Sequence, residues 1–269
     1  MIRWDECCDV LVVGAGAGGM TAALRAHDLG LDTLLIEKRD QYGGTSVATG
    51  GRVRVPEQGR AMLEYLERDT RVRIVSLEPK PFEGAALGEE LLRMREPSPG
   101  SLLMGRMAMT LTETQVLVHR GKGWLGLAAT VLWRYWRDRE GRRLSRRDRY
   151  LTQGSALVGA LRCSLLDRGL PLWLNCPLDQ LLMVGHRLGG ARVRRDGQWL
   201  NIKARHGVII ASGSCVRSLA MSPGAQGLYA IGPDASLGPA MTFGYLAANQ
   251  IRVNSQQRQG EFTLALTGR

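Results

Sequence analysis

A glycine-rich turn between an apolar strand and a helix constrains the fold of this chain more than any other feature. Residues 9–13 form a short apolar run, as expected for a parallel strand that is covered on both faces. The turn GAGAGG follows at 14–19, and residues 20–26 have helical spacing with small side chains. A second apolar strand at 33–37 completes a βαβ unit. This context predicts a dinucleotide-binding α/β fold at the start of the sequence.

The glycines of this turn, which match the pattern GxGxxG, have separate physical roles. Gly14 permits the tight turn, Gly16 lets backbone N–H groups approach a diphosphate, and Gly19 lets the helix pack close to the sheet. The positive end of the helix dipole then attracts the diphosphate. We therefore expect the backbone here to bind a dinucleotide, and a glycine-rich turn of unrelated purpose is the alternative.

An acidic residue and a second glycine turn narrow the choice of nucleotide. Glu37 ends the second strand, 23 residues after the first glycine of the turn, where a carboxylate accepts ribose hydroxyls and repels a 2′-phosphate. This favours FAD or NAD over NADP. The segment GGTS at 43–46 would bring backbone and hydroxyl groups to the diphosphate and ribityl chain. The sequence therefore predicts FAD as cofactor, with an NAD-binding module, or an ordinary loop at 43–46, as alternatives.

Composition excludes several classes of protein. The 269 residues include 34 glycines without a three-residue period, which excludes a collagen-like chain. No apolar run approaches the ~18 residues of a membrane-spanning helix, and acids near the N-terminus argue against a signal peptide. The five cysteines fit neither a disulfide framework nor a CxxC metal site. We expect a cytoplasmic protein without a structural metal ion.

Charge is concentrated beside one apolar helix. The net charge is +11, and residues 134–149 contain eight arginines directly after the apolar, tryptophan-rich segment 124–136. This composition is typical of an interfacial helix, so the segment 124–149 predicts peripheral membrane contact. The alternatives are a solvated helix face, or a helix that once packed against a region missing from this chain. Nucleic acid is not expected as a partner, because no nucleic-acid-binding motif accompanies the arginines.

Hydrophobic periodicity predicts the order of the remaining elements. We expect helices at 57–69, 124–136, 156–168 and 239–249, strands at 172–174, 208–211 and 228–231, and several short strands between 181 and 203. The tail after Ile251 is expected to fray. The predicted fold is a Rossmann-like FAD-binding domain, with a parallel sheet, helices and a small antiparallel sheet, and a truncated cap or substrate domain. Residues 1–55 and 151–250 would form the FAD-binding domain, 56–150 the shortened cap region, and 251–269 a tail.

Several later segments resemble one family of flavoproteins. They are Gly154–Val158 with Asp167–Asn175, GVIIASG at 207–213, GLYAIGPD at 227–234, and LGPAMTFGY at 237–245. Together with the glycine turns, they resemble the FAD-dependent 3-ketosteroid Δ1-dehydrogenase branch of the fumarate reductase/succinate dehydrogenase flavoprotein family. This resemblance implies removal of a hydride from a steroid-like ring ketone, a small-molecule substrate, to flavin N5.

The resemblance also implies a set of contacts to the cofactor. Backbone near Leu178 would bond the adenine, 211–213 would run beside the diphosphate, and Asp234 would meet the ribityl hydroxyls. The helix that begins at 238–240 would stabilise negative charge on the reduced flavin. The complete set of predicted cofactor-binding residues is Gly14, Ala15, Gly16, Gly18, Gly19, Met20, Glu37, Lys38, Gly43, Gly44, Thr45, Ser46, Leu178, Ala211, Ser212, Gly213, Gly232, Asp234, Gly238, Pro239 and Ala240. Glycine-lined backbone near both chain ends must therefore converge.

The sequence departs from the family where the family holds its chemistry. It is shorter after Gly50-Gly51 and between Gly213 and Gly227, and it lacks a Tyr-Pro-Gly-x-Gly element before Leu237. The family's catalytic tyrosines cannot be mapped, so no catalytic residue is assigned, and we expect Tyr245 to be a packed core residue. Two hypotheses stay open. One is an FAD-dependent oxidoreductase, and the other is an FAD-binding remnant without catalytic turnover.

Overall fold

A computed structural model describes residues 2–49, 52–73, 75–76, 83–86, 92–93, 107, 109, 111–139, 143, 150–212, 226–232 and 236–267. The chain divides into two compact units. The first unit contains Met1–Tyr42 and Leu165–Arg269, and the second unit contains Gly43–Ser164. The sequence placed the boundaries elsewhere, with 1–55 and 151–250 as the FAD-binding domain and 56–150 as the cap region. That assignment of segments to cofactor and substrate stays a prediction.

Helices and strands both occur throughout the described residues. The helices are α1 (Ala17–Asp28), α2 (Arg60–Asp69), α3 (Leu111–Val118), α4 (Trp124–Arg137), α5 (Gln153–Asp167) and α6 (Leu237–Thr267). The strands are β1 (Glu6–Val13), β2 (Thr33–Ile36), β3 (Arg52–Arg54), β4 (Val75–Ser76), β5 (Glu83–Ala86), β6 (Leu92–Arg93), β7 (Tyr150–Leu151), β8 (Leu172–Trp173), β9 (Leu178–Val184), β10 (Arg187–Arg195), β11 (Gln198–Ile210) and β12 (Leu228–Ala230).

The first unit is built on a mostly parallel sheet. Its strands follow the order β8-β2-β1-β11, all parallel, and β12 pairs in parallel with the far side of β11. Strands β10 and β9 continue the sheet in antiparallel fashion from the first half of β11. In register, Val13 lies between Ile36 and Ile210, so three strands end at the same edge. The predicted α/β class with a Rossmann-like parallel sheet and a small antiparallel sheet is confirmed.

Burial explains why the central strands read as apolar runs. Residues Val10–Val13 of β1 and the whole of β2 are buried, as expected for strands covered on both faces. Strand β11 is one continuous strand of 13 residues, whereas the sequence predicted shorter separate strands. The reason is that its first half pairs with β10 while its end pairs with β12, so a single strand connects both parts of the sheet.

The closing helix is longer than the sequence predicted. Helix α6 has 31 residues and continues to Thr267, over the segment that we expected to fray. No proline follows Pro239, and Ile251 and Ser255 are buried, so packing extends the helix beyond the predicted end at Asn249. The expectation of a frayed tail was therefore wrong for residues 252–267.

Within its described residues, the second unit is mainly helical, with two small sheets. Strands β3, β5 and β4 form one antiparallel sheet, and β6 pairs with β7. Helix α4 matches the predicted segment 124–136 almost residue for residue. The helix predicted at 57–69 is a 3₁₀ turn over Glu57–Gly59 followed by α2.

The structure also bears on membrane spans, metal ligands and cysteines. Within the described ranges, no helix is long and apolar enough to cross a bilayer. The same residues contain no group of three or more His, Cys, Asp or Glu side chains that could hold a metal ion. The thiols of Cys7, Cys8 and Cys176 are free.

Candidate functional site

The glycine turn after β1 is confined by the ends of two neighbouring strands. The Gly14 N–H donates to the Ile36 carbonyl at 2.8 Å, and Gly14 has φ +107°, which side chains rarely adopt. A Cβ on Gly14 would lie 3.0 Å from the carbonyl carbon of Ala211 and from the amide nitrogen of Ser212. Both the positive φ and the lack of room for a Cβ therefore require glycine at position 14. This agrees with the expectation that Gly14 permits the tight turn.

The next two glycines allow backbones to touch. A Cβ on Gly19 would lie 1.9 Å from the Gly14 oxygen, so α1 packs directly on the turn that precedes it. A Cβ on Gly18 would lie 2.8 Å from the Ala240 oxygen, and one on Gly244 would lie 2.3 Å from the Gly18 oxygen. Helices α1 and α6 therefore cross with their backbones in contact. This confirms that the two glycine-lined regions near the chain ends converge.

Sequence reasoning missed Gly244 as part of this crossing. The signal was present, because Gly18 and Ala22 are four residues apart on α1, and Ala240 and Gly244 are four residues apart on α6. Small residues at that spacing lie on one helix face and let two helices approach closely. The family resemblance implied a role for 238–240 and none for Gly244.

Helices α1 and α6 thus both begin near the same glycine turn. The Met20 N–H bonds the Gly16 oxygen at 2.9 Å, and the Ala240 N–H bonds the Ser236 oxygen at 3.0 Å. Neither helix has an acidic residue in its first turn, and no side chain caps α1 at Gly16. The positive ends of both dipoles are therefore not offset by an acid of the helix itself. A negatively charged diphosphate suits such a place.

Glu37 lies at the glycine turn. Its side chain is only 7% exposed, and its Oε2 accepts a hydrogen bond from the Ala15 N–H at 2.8 Å. Its Oε1 accepts from the Arg39 N–H at 3.1 Å. Each carboxylate oxygen keeps a second lone pair, which a ribose hydroxyl can use. The spacing of 23 residues in the sequence therefore corresponds to direct contact with the turn.

Two buried hydroxyl groups lack partners within the described part of the chain. They are the Oγ of Ser212, next to the glycine turn, and the Oγ1 of Thr242, in the second turn of α6. A buried polar atom without a hydrogen bond costs about 1–3 kcal/mol. A ligand with hydroxyl or phosphate oxygens beside Ser212 would remove that cost. The glycine contacts, the helix ends, Glu37 and Ser212 together fit a dinucleotide.

The second predicted glycine turn belongs to the second unit. Gly43 has φ +101° and Gly44 has φ +53°, and a 3₁₀ turn follows over Gly44–Ala48. A Cβ on Gly154 would lie 2.2 Å from the Ser46 oxygen, and the Gly154 N–H donates to the Thr49 oxygen. The turn at 43–46 therefore packs on the first residues of α5, two segments that the sequence treated separately.

The remaining predicted residues have varied surroundings. Met20 is fully buried in α1, Lys38 is exposed, Leu178 begins β9 and packs against the core of the sheet, and Gly232 is exposed. Gly213 and Asp234 lie outside the described residues. Contacts of the whole predicted set to FAD stay predictions.

Two further features of the first unit concern its aromatic and thiol groups. Tyr245 is buried with the Arg25 guanidinium 4.9 Å from its ring centroid, which confirms its role as a packed residue. The Arg195 guanidinium lies 3.8 Å from the ring centroid of Trp173, a contact that the sequence did not suggest. Burial raises the pKa of Cys8 to about 12 and that of Cys176 to about 11, so neither thiol is a nucleophile near neutral pH.

Comparison with known proteins agrees with this geometry. Residues 9–256 match the family described as FAD binding domain. The 3-oxosteroid 1-dehydrogenase of Comamonas testosteroni is 28% identical, over 79% of this chain and 48% of the relative. The same enzyme of Mycolicibacterium smegmatis is 27% identical, over 76% of this chain and 46% of the relative.

A solved structure shows the same relation. The crystal structure of 3-ketosteroid delta1-dehydrogenase from Sterolibacterium denitrificans in complex with 1,4-androstadiene-3,17-dione has a TM-score of 0.61 and 29% identity. The match covers 91% of this chain and 55% of that one. This chain thus spans about half the length of the relatives it matches. It belongs to the FAD binding domain family of flavoproteins, related to the 3-ketosteroid Δ1-dehydrogenase branch, and FAD is its cofactor.

Proposed function

We propose that the first unit holds FAD along the edge of the sheet where β1, β2 and β11 end. Glu37 accepts hydrogen bonds from the ribose, the Gly14–Gly19 turn receives the diphosphate, and the start of α6 stabilises negative charge on the flavin. The observation that carries this proposal is the backbone contact between Gly18 and Ala240, which brings the N-termini of α1 and α6 together.

We further propose that the bound flavin serves oxidation of a steroid-like ring ketone. When bound, FAD supplies a two-electron acceptor for hydride. The substrate would lose one hydride and one proton from neighbouring carbons and gain a carbon–carbon double bond. This step is supported by the relatives, which are named as 3-oxosteroid 1-dehydrogenases.

A second candidate function is FAD binding without turnover. It is favoured by the positions of the tyrosines in the described part of the chain. Tyr42, Tyr65 and Tyr245 are buried, and the Tyr229 hydroxyl accepts a hydrogen bond from the Asn254 side chain at 2.8 Å. A phenol buried in a core cannot take a proton from a substrate carbon, so Tyr42, Tyr65 and Tyr245 do not supply the family's tyrosine chemistry.

The proposal extends to the compartment. Cys7 is exposed, and Cys7, Cys8 and Cys176 carry free thiols. Free thiols of this number support a reducing compartment such as the cytoplasm.

Anaerobic reduction of the purified flavoprotein separates the two candidates. The holoprotein is mixed with 4-androstene-3,17-dione, and the flavin absorption band is followed with time. For an active dehydrogenase we expect the band to bleach, whereas the corresponding 3-hydroxysteroid, which lacks the ketone, should leave it unchanged. Androstadienedione formation is measured in the same samples.

Each outcome has a distinct meaning. A yellow protein that does not bleach, but is reduced by dithionite, supports FAD binding without turnover and ends the dehydrogenase proposal. A protein that purifies without flavin and takes up none on incubation with FAD would contradict the proposed site itself.

A further inference from the structure

Helix α4 of the second unit exposes a continuous apolar face. Leu125 is 67% exposed, Trp133 and Trp136 are each 61% exposed, and Leu132 is 47% exposed. At 3.6 residues per turn, these four side chains lie within about 100° of arc on the helix. Large apolar groups that share one exposed face indicate an interaction surface, whereas single scattered ones do not.

The opposite face of α4 is the one that packs within the unit. Val131 is buried there, and the Arg134 guanidinium makes two hydrogen bonds of 3.1 Å to the Glu113 carboxylate on α3. The helix is therefore held by one face. The exposed apolar face of α4 is therefore separate from the surface that packs against α3.

Cations surround the exposed face. The Arg137 guanidinium lies 4.8 Å from the ring centroid of Trp133, and that of Arg120 lies 5.6 Å from the ring centroid of Trp124. Lys122, Arg139 and Arg143 are exposed nearby. Residues 111–149 contain ten Lys or Arg against four Asp or Glu. Of the two acids in the described part of this range, Glu113 pairs with Arg134 and Asp138 is buried, so neither offsets the exposed Lys122, Arg137, Arg139 and Arg143.

We propose that this tryptophan face, formed by Leu125, Leu132, Trp133 and Trp136, binds the surface of an anionic lipid bilayer. A helix of 14 residues is about 21 Å long, so it lies in the interface and does not span the bilayer. Tryptophan rings enter the headgroup region, and the neighbouring guanidinium groups pair with lipid phosphates.

The charge pattern favours a bilayer over a second copy of the chain. In a two-fold dimer through this face, the cations around Trp133 would meet the same cations of the other copy. Such like-charge contacts oppose association, because no described acid on this face compensates them. An anionic bilayer supplies the complementary charge and the apolar environment together.

Vesicle binding of the full-length protein tests the proposal. Co-sedimentation is measured with vesicles of phosphatidylcholine alone and with vesicles that also contain phosphatidylglycerol, at low and at physiological salt. We expect binding to the anionic vesicles only, weakened by salt, and a blue shift of tryptophan fluorescence. The double variant Trp133→Ser/Trp136→Ser should bind at least tenfold more weakly, because two rings no longer leave water.

Trp199 provides a matched control. It is 55% exposed on β11, and the guanidinium groups of Arg192 and Arg194 lie 5.5 and 5.8 Å from its ring centroid. Trp199→Ser thus removes an equally exposed ring beside arginines in the first unit, and it should bind vesicles like the unchanged protein. Circular dichroism shows whether each variant is folded, and all variants replace exposed side chains.

Three results would overturn the proposal. They are equal binding by the double variant, equal loss in Trp199→Ser, and concentration-dependent dimerisation that the double variant abolishes without any vesicle binding. The last result would identify a second copy as the occupant of the face. Flavin content and steroid oxidation do not enter this test, so its failure is independent of the proposed enzymatic function.

Discussion

The sheet and glycine turn of the first unit contrast with helix α4 of the second unit in their apolar surface and their glycines. In the first unit, β1 and β2 are covered on both faces, and Gly18 and Gly19 sit where any side chain would strike backbone. In the second unit, α4 exposes two tryptophans, and Gly126 within the same helix has open space around it. Close packing therefore fixes the backbone at the glycine turn of the first unit, whereas the tryptophan face of α4 is exposed.

The largest expected effect comes from filling the glycine turn. Gly19→Ala places a methyl group 1.9 Å from the Gly14 oxygen, so the turn or α1 must move. We expect a loss of about 3 kcal/mol or more in the free energy of unfolding, together with loss of FAD. Urea unfolding, followed by circular dichroism, and the flavin content of the purified variant check this.

Gly126→Ala is the matched control in the second unit. This glycine is in the interior of α4 and nothing lies within 4 Å of the added methyl group. We expect a gain of about 0.5–1 kcal/mol from the lower entropy of the unfolded chain. Equal effects of the two substitutions would break the contrast between the units.

Removing the charge of Glu37 should have the next largest effect. The two carboxylate oxygens of Glu37 accept hydrogen bonds from the N–H groups of Ala15 and Arg39. In Glu37→Gln the side-chain NH₂ replaces one of these oxygens, so two donors face each other and one hydrogen bond is lost. We expect FAD affinity to fall about tenfold or more, measured by quenching of flavin fluorescence. Glu64→Gln, on the exposed surface of α2, should bind FAD like the unchanged protein. If both variants bind FAD equally well, Glu37 is not part of the site.

Two similar ion pairs, one in each unit, allow the stability of the two units to be compared. Arg168 bonds Asp28 at 2.7 and 2.8 Å in the first unit, and Arg134 bonds Glu113 at 3.1 Å through both oxygens in the second. The four side chains are each less than a quarter exposed, so Asp28→Asn and Glu113→Gln should each cost about 1–2 kcal/mol in unfolding free energy. Thermal or urea unfolding measures both. A negligible cost for Glu113→Gln alone would show that α3 and α4 are held more loosely than the first unit.

The smallest expected effect is a pH dependence of stability in the first unit. Burial lowers the pKa of His206 below its ordinary value of 6.5, and Arg258, Arg187 and Arg205 add to this, while Asp9 opposes it. The unfolded chain therefore binds a proton more readily than the folded one, so stability falls as the pH drops below 6.5. Unfolding between pH 5 and 8 should show a weaker decline in His206→Gln, and an unchanged decline in His186→Gln, whose side chain is exposed. An identical decline in all three proteins contradicts this assignment.

Local patterns explain what could be read from the sequence about the site. The roles of Gly14 and Gly19 follow from a turn of six residues, and Glu37 lies one strand later, so short-range geometry determines their contacts. The contact of Gly18 with Ala240 joins residues that are far apart in the chain, and no local pattern specifies it. Only the family resemblance pointed to 238–240, and it gave no indication of Gly244.

Helix α4 shows the same division between what local sequence indicates and what packing decides, here for a surface. The tryptophan and arginine content of 124–149 predicted an interfacial helix, because composition reports which groups are available. It could not indicate which side of the helix would face outward. That depended on Arg134 and Val131, whose packing turns Trp133 and Trp136 toward solvent.

The sequence by itself determined the βαβ opening, the class of cofactor and the positions of most helices and strands, because hydrophobic period and glycine placement act over a few residues. The tertiary structure decided the crossing of α1 and α6, the continuity of β11, the length of α6 and the outward face of α4. Each of these depends on which distant segment supplies the neighbouring surface, and that is known only once the chain has folded.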